Sequence, residues 1–269
     1  TDRQCGSAAV GIPCGIEDGL KAEVRQYMNT HKFNIITLIA VIAITMLPID
    51  LYATEPADYA AVGSVKTATD ISHMALYEKI GINDEIPYDA FDAAVTGYER
   101  ITSRRKDILV LIDYTKPSTQ ERLYVIDMQY GKVLYKSLVA HGRGSGDNYA
   151  TSFSNTPDSH KSSLGFYLTL NTYEGRNGYS LRLNGLEPGI NDKAYERAIV
   201  IHGADYCDRS FIKSAGRLGR SFGCPALPRD VSDAIIDTIK DGAVLFIYAN
   251  NEEYMAQSAV LIPNDLAMN

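Results

Sequence analysis

Cys224 stands between Gly223 and Pro225 in the stretch Arg220-Ser221-Phe222-Gly223-Cys224-Pro225, with Ile201-His202-Gly203 a little upstream. A thiol and an imidazole make a nucleophile and a base. A free cysteine is only slightly ionised at neutral pH, and a neighbouring imidazole moves it towards the reactive thiolate. The residues flanking the sulfur suit that work. Glycine permits a sharp turn and a close approach, while proline fixes its own φ and pushes Cys224 towards an extended conformation. A rigid, exposed bend is expected. Because Pro225 has no N–H, the donors beside the sulfur are those of Gly223 and Cys224, and on a stiff turn they would hold the oxyanion of a tetrahedral intermediate. His202 ends the apolar run Ala198-Ile199-Val200-Ile201, which reads as a buried strand that delivers the imidazole to its rim. Spacing alone leaves two readings open: a catalytic pair, or a satisfied histidine with an inert buried cysteine.

The same stretches carry a resemblance. His202-Gly203, a loop, then Ser221-x-Gly223-Cys224 resembles the signature of murein L,D-transpeptidases, in the branch where proline follows the cysteine. The likeness continues through Val139-Ala140-His141-Gly142-Arg143, Ser152-Phe153-Ser154-Asn155, Ser162-Ser163-Leu164-Gly165-Phe166-Tyr167 and Gly216-Arg217-Leu218-Gly219-Arg220-Ser221. Phe222 departs from it, standing where the commoner pattern has a second histidine. The resemblance implies that the carbonyl of Gly203 orients the His202 imidazole, and that the reaction is acyl transfer through a thioester on Cys224. It implies as substrate the stem peptide of bacterial peptidoglycan, opened between a third-position diamino acid and a terminal D-alanine. An amine acceptor would give a 3→3 cross-link, and water would make the protein an L,D-carboxypeptidase. Two rivals belong to other classes. One is a non-catalytic cell-wall-binding domain, for which Phe222 is the best argument. The other is a zinc site drawn from His202, Cys207 and Cys224 with Asp205 or His141, whose spacing lacks the paired ligands of such sites. No motif implies a cofactor.

Around the pair lie candidates for substrate binding. Arg217 and Arg220 precede the nucleophile in a chain of formal net charge −7. A guanidinium fork suits a substrate carboxylate and would depress the thiol pKa; it equally suits an internal Asp or Glu. Ser221 fits a bond within the bend or one to substrate. The glycine-rich loop His141-Gly142-Arg143-Gly144-Ser145-Gly146-Asp147-Asn148 lacks the Gly-Lys-Ser/Thr close of a P-loop. It either touches substrate, through His141 and Arg143, or is a long connection. Tyr179 completes the set. The acidic balance argues against a nucleic-acid surface. Cys207 reads as a small packing residue and Cys224 as free, although an exported protein would permit a disulfide.

The elements that must position this chemistry follow from the patterning. At 269 residues and 45% hydrophobic content the chain has room for one generous domain or two small ones. Met28-Asn29-Thr30-His31-Lys32, the apolar run 35–47 and Ala53 are laid out as a signal peptide. The run of about 13 residues falls short of the roughly 20 that span a bilayer. Residues 1–27 therefore read as an upstream extension and 28–53 as a signal peptide removed after Ala53. That makes an exported protein of the periplasm or cell envelope, with no lasting membrane span; the alternative is an uncleaved membrane anchor, whose extension Pro48 and Asp50 interrupt. Residues 54–104 read as a helical lead-in: one helix ends near Gly81, and a second begins at Pro87 with Tyr88, Phe91, Val95 and Tyr98 on one stripe. Within 105–250 come strands at 108–112, a hairpin of 123–127 and 133–139 turning near Gly131, then 165–170, 179–183, 198–202 and 243–248. In the strand at 179–183, Leu181 and Leu183 alternate with Arg182. An amphipathic helix at 228–240 follows the nucleophile, and 251–269 is a polar tail. The expected fold is mainly β, a sandwich-like catalytic domain with a helical N-terminal lead-in, which is also the fold the resemblance implies.

Overall fold

The computed structural model describes residues 68–262. The upstream extension, the signal peptide, Cys5 and Cys14, the start of the lead-in and the end of the tail lie outside the described residues.

Two helices come first, α1 (Ala68–Ile80) and α2 (Tyr88–Arg100). Gly81, at φ 72°, stops α1 as a left-handed C-terminal glycine does. Pro87 sits just before α2 as its N-cap, where its missing N–H takes nothing from the helix. The apolar stripe of α2 is buried at Phe91, Val95 and Tyr98. Tyr88, half-buried, sends its hydroxyl to the Asp70 carbonyl at 3.1 Å. α2 crosses the sheet at Gly97, where any Cβ would overlap the Phe166 ring. That ring in turn stacks on Phe246 with centroids 4.1 Å apart.

The strands are β1 (Ile108–Asp113), β2 (Leu123–Asp127), β3 (Lys132–Ser137), β4 (Gly165–Gly175), β5 (Gly178–Gly185), β6 (Val200–Gly203), β7 (Ala226–Leu227) and β8 (Val244–Tyr248). They form one sheet in the order β3-β2-β1-β8-β4-β5-β6-β7. The β1–β8 and β6–β7 pairs are parallel and the other pairs antiparallel. β8 lies at the centre with every residue buried, which is why it reads as an unbroken apolar run rather than an alternation. The two ends of the strand order meet. Ala140, just beyond β3, bridges Ala226 of β7, and Gly142 bridges Ser221. The mainly-β, sandwich-like expectation thus takes the form of one curled, nearly closed sheet. Tyr77 of α1 and Phe91 of α2 share a single core with Leu111, Phe166 and Phe246, so the described part of the lead-in folds with the strands.

Three more helices follow, α3 (Arg209–Ala215), α4 (Arg229–Ile239) and α5 (Glu252–Gln257). α4 is the amphipathic helix expected after Cys224 and buries Ile235, Ile236 and Ile239. It lies so close to β6 that a Cβ on Gly203 would collide with the Ser232 side chain. Among the described residues, no helix is long and apolar enough to cross a membrane.

Candidate active site

The bend around Cys224 is braced from within. Ser221 Oγ accepts the Gly223 N–H at 3.1 Å and donates to the Cys224 carbonyl at 2.6 Å. Gly223 has φ 124°, and a Cβ there would lie 2.8 Å from the Lys161 carbonyl, so both backbone angle and space demand glycine. Its carbonyl accepts from the Ser162 hydroxyl at 3.1 Å. Cys224 itself is free and half-buried. Its sulfur receives the Val200 N–H at 3.5 Å and donates towards the Ala198 carbonyl at 3.7 Å. Ala198 holds φ 53°, a left-handed angle uncommon for a residue with a side chain and one that recurs at functional sites. Burial pushes the Cys224 thiol up, against the Val200 N–H and the Arg197 guanidinium, which favour the thiolate. At rest the sulfur is protonated.

His202 occupies β6, opposite Ser180 of β5 and Ala226 of β7. It is 4% exposed. Its Nδ1 lies 3.1 Å from the Gly203 carbonyl. A carbonyl can only accept, so Nδ1 carries the proton and Nε2 keeps a lone pair. Burial lowers the imidazole pKa, opposed by the Gly203 bond and reinforced by Arg229; the ring is neutral at pH 7. The parallel pairing of β7 with β6 brings Cys224, two residues before Ala226, beside Val200, two residues before His202. Cys224 and His202 are therefore offset by about 6.6 Å along the strand direction. Among the described residues no hydrogen bond joins them, a common state for unliganded sites.

The other expected residues fall in varied places. The Gly203 carbonyl is the backbone partner of the His202 imidazole. Gly223 lies at the bend, with its N–H occupied by Ser221 rather than open. Arg217 and Arg220 both reach Asp147, at 2.7 and 3.3 Å, and Arg220 also donates to the Gly146 carbonyl at 3.0 Å. They tie the glycine-rich loop to the approach to Cys224. His141 is fully buried and takes a bond from Arg122 Nη2 on Nδ1 at 2.8 Å. Burial, then the Arg122 charge, depress it to about 4, and it has no surface to offer a substrate. Tyr179 points its hydroxyl at Asp237 of α4, 2.7 Å away; as the neighbour of Ser180 it faces the side of the sheet opposite His202. Arg143 does stand at the rim. Its guanidinium lies 4.5 Å from the centroid of the Phe222 ring and donates to His160 Nδ1 at 2.9 Å. The His160 and Phe222 rings are 4.6 Å apart. Phe222 is 63% exposed, held between a guanidinium and an imidazole. Cys207 is free and buried, its thiol pushed up to about 12 by burial and bonded to the Ala226 carbonyl at 3.2 Å. Among the described residues, no three His, Cys, Asp or Glu side chains converge as metal ligands.

Sequence reasoning missed Arg197 and His160. Arg197 donates to the Ser154 carbonyl at 2.9 Å, Ser163 Oγ at 2.7 Å and the Lys161 carbonyl at 2.7 Å. It is a cation beside Cys224 that forms no ion pair with a carboxylate among the described residues. Its only signal was a basic residue directly ahead of the strand that ends in His202.

Residues 82–248 match the family described as L,D-transpeptidase catalytic domain. No curated protein matches the chain. Solved structures that resemble it include an L,D-transpeptidase from Mycobacterium smegmatis, at 15% identity and a TM-score of 0.34, covering 53% of this chain and 59% of that one. L,D-transpeptidase 3 from Mycobacterium tuberculosis matches at 12% identity and a TM-score of 0.34, covering 53% of this chain and 61% of that one. The chain spans less than two thirds of either protein, and likeness this loose transfers no residue role.

Proposed function

The chain belongs to the L,D-transpeptidase catalytic domain family, and on that premise we propose that it performs cysteine-dependent acyl transfer on peptidoglycan stem peptides. His202 Nε2 takes the proton of the Cys224 thiol once the sulfur leaves the Val200 N–H. The thiolate adds to the carbonyl of the third-position diamino acid. The Cys224 N–H holds the oxyanion, joined by the Gly223 N–H when it releases Ser221 Oγ. Collapse breaks the C–N bond, and the imidazolium protonates the departing amine of D-alanine, leaving a thioester. An acceptor amine, giving its proton to His202, then displaces the sulfur, forming a 3→3 cross-link and restoring the thiol. Residues 28–53 direct export, which places this work in the periplasm or cell envelope.

One observation carries the reading: the Nδ1–H···O=C bond from His202 to Gly203, which leaves the Nε2 lone pair free without any carboxylate behind the imidazole. The test is incubation of the purified protein with tetrapeptide muropeptides. Cross-linked dimer is the expected product, trimmed tripeptide would mean that water is the acceptor, and a Cys224→Ala variant should give neither. A Cys224→Ala protein as active as wild type would reject the reading.

A further inference from the structure

The cavity beside the nucleophile has a cation of its own. β5 and β6 pair with Arg182 opposite Val200 and Ser180 opposite His202. Opposed residues share a face, as do residues two apart on one strand, so Arg182 and His202 project from the same side of the sheet. On β4, Tyr173 lies opposite Ser180, and the Arg182 guanidinium rests 4.0 Å from the centroid of its ring. With Leu183, Tyr195 and residues 198–200 they line a cavity of about 220 Å³. At ~30 Å³ per water this is room for about seven waters, enough for one amino-acid residue. The backbone of that wall, the Val200 N–H and Ala198 carbonyl, is the backbone that holds the Cys224 sulfur.

Arg182 forms no ion pair or side-chain hydrogen bond among the described residues. Arg217 and Arg220 share Asp147, and Arg229 has Asp205. A guanidinium stacked on an aromatic face keeps its edge donors free, and their fork matches a carboxylate. Tyr195, 59% exposed, supplies an apolar wall with a polar tip at the cavity mouth. We infer that this cavity is a carboxylate-recognising subsite that seats the residue next to the scissile carbonyl, with Arg182 as the anion-binding group. The inference rests on the proposed acyl-transfer function. The carboxylate comes either from the terminal D-residue or from the side chain of the diamino acid, and the chemistry of recognition is the same.

The experiment compares wild type with Arg182→Gln and Arg182→Lys on three tetrapeptides: both carboxylates free, the terminal one amidated, and the side-chain one amidated. For Arg182→Gln, KM on the free acid should rise roughly tenfold, the loss of one charge-assisted contact, with kcat little changed. Arg182→Lys should fall between, keeping charge but losing the fork. On one of the two amides the variants and wild type should become alike, and which amide it is names the carboxylate. An Arg182→Gln penalty equal on all three peptides, or no penalty at all, overturns the assignment. Calorimetric binding of the same peptides to a Cys224→Ser protein with and without Arg182→Gln tests recognition apart from chemistry. Binding that depends on Arg182 in a protein whose wild type turns nothing over would reject the acyl-transfer function while upholding the subsite.

Discussion

At the scale of single residues, the candidate pair rests in its uncharged form. Burial raises the thiol and lowers the imidazole, so on the proposed mechanism the thiolate–imidazolium state waits for the sulfur to come within reach of His202. Iodoacetamide labelling of Cys224 in the free protein should therefore rise with pH along a curve whose midpoint lies above that of an ordinary thiol. A midpoint near neutrality would contradict this. Ser221 is expected to matter through the bend alone. Ser221→Ala leaves the Gly223 N–H without its partner, which should lower stability by about 1–3 kcal/mol in urea unfolding and reduce kcat/KM, with Ser221→Thr restoring both. Cys224 and His202 stood out as candidates because their local neighbours, glycine, proline and an apolar run, constrain what each can be. Arg197, Arg182 and His160 were not, because what makes them notable is a partner far away in the chain.

At the scale of elements, the long apolar runs declared themselves and the short pieces did not. β7 is two residues long and α3 is seven, too brief to show a period. α5 hides in a polar tail, capped by Asn251, whose side chain accepts the Tyr254 N–H at 2.7 Å; Tyr254 is its only buried residue. The crossing of α2 over the sheet depends on the missing side chain of Gly97. Gly97→Ala should cost about 1–3 kcal/mol through overpacking against Phe166, read as a lower urea midpoint with an unchanged slope. A midpoint equal to that of wild type would mean that the helix and sheet can separate without penalty.

At the scale of the whole molecule, Glu187 holds the C-terminal stretch to the sheet. It accepts the Phe166 N–H at 2.7 Å and the Tyr254 hydroxyl at 3.2 Å, and pairs with the Ser258 hydroxyl. Burial raises its pKa despite those bonds. A raised folded-state pKa gives stability that is full below the unfolded value, near 4.3, and that is lost as pH climbs through the folded value. The unfolding free energy of wild type minus that of Glu187→Gln should therefore shrink over the interval that opens near the unfolded value and runs upward in pH. A difference that stays flat across that interval would remove Glu187 as the source.

The meeting of the two sheet ends at Ala140 and Ala226 sets Cys224 on a seam, two residues from the stitch that joins them. Heat that parts this seam also takes the sulfur away from β6. Thermal inactivation and melting of the sheet should then be one event, with no folded but silent species in between.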